Sequence, residues 1–196
     1  MGKESDADYP FDLYGDLEDA YDEAELNGDV EIMETLDVFD LWSERPRGGN
    51  AFLHTLLRAI HGDVEAQDAM GHVFFWSEDD PNDSREKCEW LYKPNLAQYW
   101  YGLAAEAGCA NSQNYLGGLY CPNIAPLAVF KLGRMARSWW EEAAGQKRIA
   151  AMRNLANCLR CGKCCCCNTD LQRAEALEAE AYRLEGEERK EKVKGR

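Results

Sequence analysis

Positive charge is what this sequence has least of. Across 196 residues, 22 Lys and Arg stand against 36 Asp and Glu, a formal net charge of −14. Nucleic acid and anionic lipid both demand a basic face, so neither is an expected partner. No apolar run approaches the roughly 20 residues that a membrane span requires, and the opening Met1–Pro10 is too acidic for a secretory signal. Catalytic signatures are missing as well. The three histidines, His54, His61 and His72, fall in helical stretches, and none sits in a His-Glu-x2-His pattern. There is no Gly-rich phosphate loop and no Gly-x-Ser-x-Gly nucleophile turn, so no enzymatic activity is expected.

What is present suffices for a folded chain. Hydrophobic residues make up 45% and aromatics 11%, which excludes wholesale disorder. The length suits one domain or one array of repeats. The charge is concentrated: residues 1–50 hold sixteen acids and three bases, a net −13, whereas residues 183–196 hold six bases and four acids. The acidic segment reads either as a solvated face that keeps the chain soluble or as a docking surface for a basic protein, whose association such a field would accelerate.

Nine cysteines are an odd number, and six of them crowd into residues 158–167. A secreted disulfide framework spaces its cysteines more widely, so a reducing, cytoplasmic setting is expected. The spacing Cys158-x2-Cys161-x2-Cys164, continued to Cys167, is superficially that of a ferredoxin ligand run or half a zinc site. A distant second pair is missing, and Asn168 stands where the ferredoxin run carries proline. Unliganded thiols in a permissive loop are therefore the main reading, with no cofactor. Zinc held by Cys158, Cys161, Cys164 and Cys167, or thiol redox chemistry there, is the alternative.

Apolar residues recur at helical spacing almost throughout. Asp12–Leu26 and Val30–Trp42 read as a helical pair broken at Asn27-Gly28-Asp29. Arg45-Pro46-Arg47-Gly48-Gly49 ends that pair, and Asn50 is a fair N-cap for the next helix. Further breaks fall at Asp80-Pro81-Asn82-Asp83, at Pro94 and at Pro122 to Pro126.

Beyond residue 50 the chain repeats itself. Ala66…Met70-Gly71…Phe74, Ser112…Leu116-Gly117…Tyr120 and Ala151…Leu155-Ala156…Leu159 share one pattern, at intervals of 46 and 39 residues. A period of that size signals stacked helical hairpins. A second block runs in step: Ala97…Trp100-Tyr101…Ala104-Ala105…Gly108, then Ala136…Trp139-Trp140…Ala143-Ala144, with a weaker copy at Ala174…Leu177…Ala181 and a half-copy at Ala51…His54…Ala59…Gly62. Small residues at these spacings let helices approach closely while the aromatics fill the space beside them. Gly108 and Gly145, just past the alanine pairs, suit the left-handed residue that ends a helix.

The run Ala-x2-Trp-Tyr-x2-Ala-Ala-x2-Gly at 97–108, followed by Leu116-Gly117-Gly118-Leu119-Tyr120, resembles the Sel-one-like repeat. The resemblance covers about residues 50–185, with Leu-Gly decayed to Leu155-Ala156 and a longer than usual loop at Ser77–Asn95. It implies a tetratricopeptide-like, right-handed α/α solenoid that serves as a scaffold for protein contacts. The organisation expected is an acidic helical segment over 1–47, a repeat array over 48–186 and a charged tail over 187–196.

Tyr99, Trp100, Tyr101, Trp139 and Trp140 belong to the second helices of their hairpins in this reading, and they are the candidates for partner contact. Neighbouring residues on a helix point about 100° apart, so core packing claims at least one of each adjacent pair and leaves another for an interface. The chain is thus expected to bind another protein, and in the sharper version to neutralise a basic partner such as a toxin.

Overall fold

The computed structural model of the chain describes residues 13–43, 49–75, 93–121, 133–162 and 169–194. Within them the backbone forms nine helices and no strand: α1 (Leu13–Asn27), α2 (Val30–Ser43), α3 (Gly49–Ile60), α4 (Val64–Phe75), α5 (Pro94–Glu106), α6 (Ala110–Leu119), α7 (Gly133–Gly145), α8 (Ile149–Cys161) and α9 (Leu171–Lys194). The first pair falls within a residue of its predicted bounds. Helix α3 starts at Gly49, so Asn50 lies inside it rather than capping it. Pro94 opens α5 at the position where a missing N–H costs nothing. The breaks at 80–83 and 122–126 lie outside the described residues. From 187 to 194 the chain simply continues α9.

Four tight turns share one backbone device. Gly28, Gly62, Gly108 and Lys147 adopt φ of 69°, 87°, 94° and 63°. At each, the N–H of the left-handed residue donates to the carbonyl three residues back, that of Glu25, Ala59, Ala105 or Ala144, at 2.9–3.2 Å. The next N–H donates five residues back, to Ala24, Arg58, Ala104 or Ala143, at 2.9–3.0 Å. These paired bonds satisfy carbonyls that a helix end otherwise leaves open. The turns pair α1 with α2, α3 with α4, α5 with α6 and α7 with α8. The aromatic-bearing α5 and α7 pack most heavily on the helices that precede them, α4 and α6, so they are the second members of those pairs, as the sequence suggested. The fourth left-handed position belongs to Lys147, while Gly145 is the last residue of α7.

Asp29 and Asp63 start α2 and α4 by accepting the N–H of Ile32 and Ala66 at 3.2 and 3.1 Å, and Asp170 does the same for Arg173 at 3.0 Å. Gln67 and Gln113 stand at equivalent places and tie each hairpin shut: their Nε2 atoms donate to Ala59 and Ala105 carbonyls, both at 3.1 Å.

Successive hairpins stack through the small residues read from the sequence. Ala97, Ala104, Ala136, Ala143, Ala174 and Ala181 are all fully buried, as are Met70, Leu116 and Leu155 on the facing helices. The closest approaches are at Gly71 and Gly117. A Cβ added at Gly71 would lie 2.5 Å from Tyr101 Cε1, and one at Gly117 would lie 2.5 Å from Trp140 Nε1. Each aromatic ring thus rests on a glycine of the preceding helix. At the third junction the glycine becomes Ala156 and no aromatic faces it, because Glu178 takes the place of the ring in the repeat register and pairs with Arg160.

The acidic hairpin α1–α2 packs on this array, against α3 and α5. Among its described side chains, Ala20, Ala24, Thr35 and Leu36 are buried. Tyr99 donates its hydroxyl to Asp29 Oδ2 at 3.0 Å, and buried Trp100 donates Nε1–H to Thr35 Oγ1 at 3.1 Å. Thr35 in turn donates to the Glu31 carbonyl at 2.7 Å. The same Schellman turn and an uninterrupted core make α1–α2 a first hairpin in series with the rest, with Leu36 in the register of Met70, Leu116 and Leu155 counted from the turn.

Candidate interaction surface

The five aromatics divide sharply. Trp100 and Tyr101 are 0% exposed and Trp140 is 2% exposed, so none of these three can meet a partner. Their rings are spent on Thr35, on Gly71 and on Gly117, and Trp140 also donates Nε1–H to the Asn114 carbonyl at 3.1 Å. Contact by these three is corrected: they are core, and the cause is the glycine opposite each of two rings and the buried hydrogen-bond acceptor opposite the third. Trp139 and Tyr99 are half-buried. Burial, followed by its bond to Asp29, holds the Tyr99 hydroxyl well above the usual phenol range.

A half-buried polar and aromatic cluster between α4 and α6 went unnoticed in the sequence. Asp68 Oδ2 accepts from Asn111 Nδ2 at 2.7 Å and Asp68 Oδ1 accepts from Ser112 Oγ at 2.5 Å. His72 Nδ1 meets the Tyr101 hydroxyl at 2.9 Å, and its Nε2 lies 3.5 Å from Asp68 Oδ2. The Tyr101 and Tyr115 rings stack at 5.3 Å, and the His72 ring stands edge-on to Tyr115 at 4.6 Å. Burial pulls the Asp68 carboxyl upward, but the hydrogen bonds from His72, Ser112 and Asn111 outweigh it and hold the group below the usual carboxylate range. Arg148 extends the network by donating to Asn111 Oδ1 at 2.6 Å. Every polar group here is satisfied from within, so the cluster fixes the register of one hairpin on the next. Its members are 44 residues apart and of ordinary surface types, which is why no sequence pattern announces it.

Of the cysteine candidates, Cys158 is 2% exposed among the core leucines of α8, and Cys161 is exposed at the end of that helix. Gly162 follows as the left-handed cap, with φ of 63°. Cys164 and Cys167 lie outside the described residues. Among the described residues no three His, Cys, Asp or Glu side chains gather as a metal site would require. No described helix is long and apolar enough to cross a membrane.

The acidic hairpin is the least compensated part of the molecule. Residues 13–43 hold eleven carboxylates and no base. Asp19, Asp22, Glu23, Glu25, Glu31 and Glu34 are exposed, and none pairs with a described base. Glu23 and Glu25 crowd the last turns of α1, where the helix carbonyls already carry partial negative charge and no basic residue offsets it. The far end of the chain is treated in the opposite way. Arg137 and Arg173 both reach Glu141, at 3.1 and 3.0 Å; Arg153 reaches Glu185 at 2.9 Å; and Arg183 reaches Glu187 at 2.7 Å. Arg160 engages both carboxylate oxygens of Glu178 and holds that carboxyl below its usual range. Exposed hydrophobic side chains accompany the bare carboxylates: Leu26, Val30 and Tyr21.

Stacked hairpins of this build occur in known structures. A protective antigen present in uropathogenic Escherichia coli strains, displaying an SLR fold, superposes with a TM-score of 0.55 at 23% identity, over 74% of this chain and 28% of that one. A Sel1 repeat protein from Oxalobacter formigenes does so with a TM-score of 0.55 at 19% identity, over 88% of this chain and 59% of that one. The chain has the Sel1-like repeat fold. It spans 28% and 59% of the two proteins' lengths. No family model and no curated protein matches the sequence. Within the Sel1-like framework, the glycine-on-ring contacts and left-handed turns are the parts that build the array. Among the described residues, the exposed carboxylates of α1–α2 make no ion pair with it.

Proposed function

We propose that the protein is a binding scaffold whose Sel1-like array holds an acidic first hairpin in place to capture a basic partner protein. One observation carries the reading: eleven carboxylates without a base in α1–α2, six of them exposed and unpaired with any described base, beside a C-terminal half whose carboxylates are repeatedly matched to arginines. Like charges left together destabilise a fold through self-repulsion, so their retention at one end favours a use outside it. A field of this kind speeds encounter with a basic surface and rejects acidic ones. A basic toxin held by an acidic inhibitor is one partnership of that chemistry. The reading assigns the protein no chemical step and no cofactor.

Removal of residues 1–44 would be a poor test, because it strips Thr35 from the buried Trp100 indole. Neutralisation of exposed positions is cleaner. The variant Asp19→Asn, Asp22→Asn, Glu23→Gln, Glu25→Gln leaves every described core contact in place. Affinity capture with the full chain should enrich basic proteins, and the enrichment should fall steeply between low salt and about 0.5 M salt, where the screening length is about 4 Å. The four-fold variant should lose at least about tenfold of that enrichment, of the order that about 1.4 kcal/mol represents. Enrichment indifferent to both salt and the substitutions would overturn the proposal.

A further inference from the structure

Helix α9 outlasts the array it belongs to. Its buried residues end at Ala181, and from Glu187 to Lys194 every residue is exposed. At 1.5 Å per residue the segment from Gly186 to Lys194 is about 13 Å of helix that adds no buried residue to the described core. Its last six residues, Arg189–Lys194, hold four bases and one acid, after Glu187 and Glu188: Lys190, Lys192 and Lys194 take part in no described ion pair, and Arg189 reaches only Glu185, at 3.7 Å. It also carries apolar surface in Val193, 76% exposed, and just before it stands Tyr182, 66% exposed, with the Arg153 guanidinium over one face of its ring at 5.5 Å. Positions 182, 186, 189 and 193 fall within about 60° of one another on a helix of 3.6 residues per turn, so Tyr182 and Val193 share a stripe that Lys190 and Lys194 flank.

The complementary surface is at the other end of the same chain. Helices α1 and α2 offer exposed Leu26, Val30 and Tyr21 among unpaired carboxylates. The two surfaces do not meet within one molecule, because α1 and α2 contact α3 and α5 whereas α9 contacts α8. We infer that the overhanging end of α9 docks on the α1–α2 hairpin of a second copy, head to tail. Such a contact joins two different patches, so it leaves a free patch at each end of a dimer and permits further addition or ring closure. Charge selects the pairing and the apolar residues add buried area. The contact is small and electrostatic, hence weak and sensitive to salt. It shares the acidic hairpin with the scaffold reading but does not depend on it, and a basic partner would compete for the same surface.

Sedimentation velocity and equilibrium on the full chain test this directly. In about 50 mM salt the weight-average mass should rise with protein concentration from monomer past dimer, and in about 0.5 M salt it should return to monomer. A chain ending at Glu185, and separately the variant Lys190→Glu, Lys192→Glu, Lys194→Glu, should stay monomeric in low salt and keep the urea midpoint of the full chain, since the buried residues of α9 end at Ala181. A full chain that is monomeric at every concentration and salt overturns the inference, as does an association that both variants retain. Either result leaves the capture of a basic partner standing, because both variants keep α1–α2 intact and the shortened chain can be put through the same capture assay.

Discussion

At Gly117 a methyl group would stand 2.5 Å from Trp140 Nε1 and 2.6 Å from Cδ1, so one of the two helices must move to admit it. Gly118, its neighbour, faces open space. Gly117→Ala should therefore cost about 1–3 kcal/mol of stability through overpacking, while Gly118→Ala should gain about 0.5–1 kcal/mol from helix propensity; urea denaturation of the pair checks both signs. The Leu-Gly pattern made this site legible in advance, since only a close helix approach needs glycine inside a helix. Which of two adjacent tryptophans would fill the space was not legible: Trp139 and Trp140 differ only in helical phase, and the phase follows from where the turn falls. Asp68 carries a second prediction. Its folded pKa lies below the unfolded value of 3.8, so it stabilises the fold above that value and the contribution is lost as pH falls through the folded pKa. Asp68→Asn should be less stable than the wild type at pH 7, and the gap should close as the pH falls from the unfolded value of 3.8 through the lowered folded pKa, where the wild-type carboxyl becomes protonated. A urea midpoint measured for both chains at pH 7 and below the folded pKa decides it, and a gap independent of pH would reject the assignment.

At the scale of the element, the turn governs. Three of the four left-handed turn positions are glycine, and the fourth is Lys147, whose φ of 63° strains a residue with a side chain. Lys147→Gly should raise stability by about 0.5–1 kcal/mol, provided that the exposed lysine does no other structural work; thermal denaturation would register a gain of a few degrees. The same position explains why the left-handed residue after α7 escaped the sequence. Gly145 offered a plausible helix end two residues early, and Lys147 gave no sign of the conformation it adopts. Helix periodicity, the alanine spacings and the breaks at Asn27-Gly28-Asp29 and Pro94 were legible because each reflects a local requirement of the backbone or of close packing. The place of α1–α2 within the array was hidden by composition: its carboxylates mark it off, while Ala20, Ala24 and the Gly28 turn, which join it to the series, are too few to form a pattern.

The whole molecule is a stack of hairpins with a steep gradient of charge. The first hairpin carries a net −11, whereas α7 and α8, over residues 133–162, hold six bases and two acids, a net +4. Packing does not demand that separation, since the acidic hairpin docks through Asp29, Thr35 and Leu36, with Tyr99 and Trp100 of α5 bonded to the first two, rather than through its exposed carboxylates. The measurement that bears most directly on the account is the thermal stability, at low and at high salt, of the wild type and of the variant Asp19→Asn, Asp22→Asn, Glu23→Gln, Glu25→Gln. If these carboxylates are held ready for a partner, they repel one another in the free protein. The variant should then melt several degrees higher at low salt, with the difference shrinking as salt screens the wild type. A variant that melts lower than the wild type at both salt concentrations would mean that the carboxylates hold the fold together, and would contradict the account.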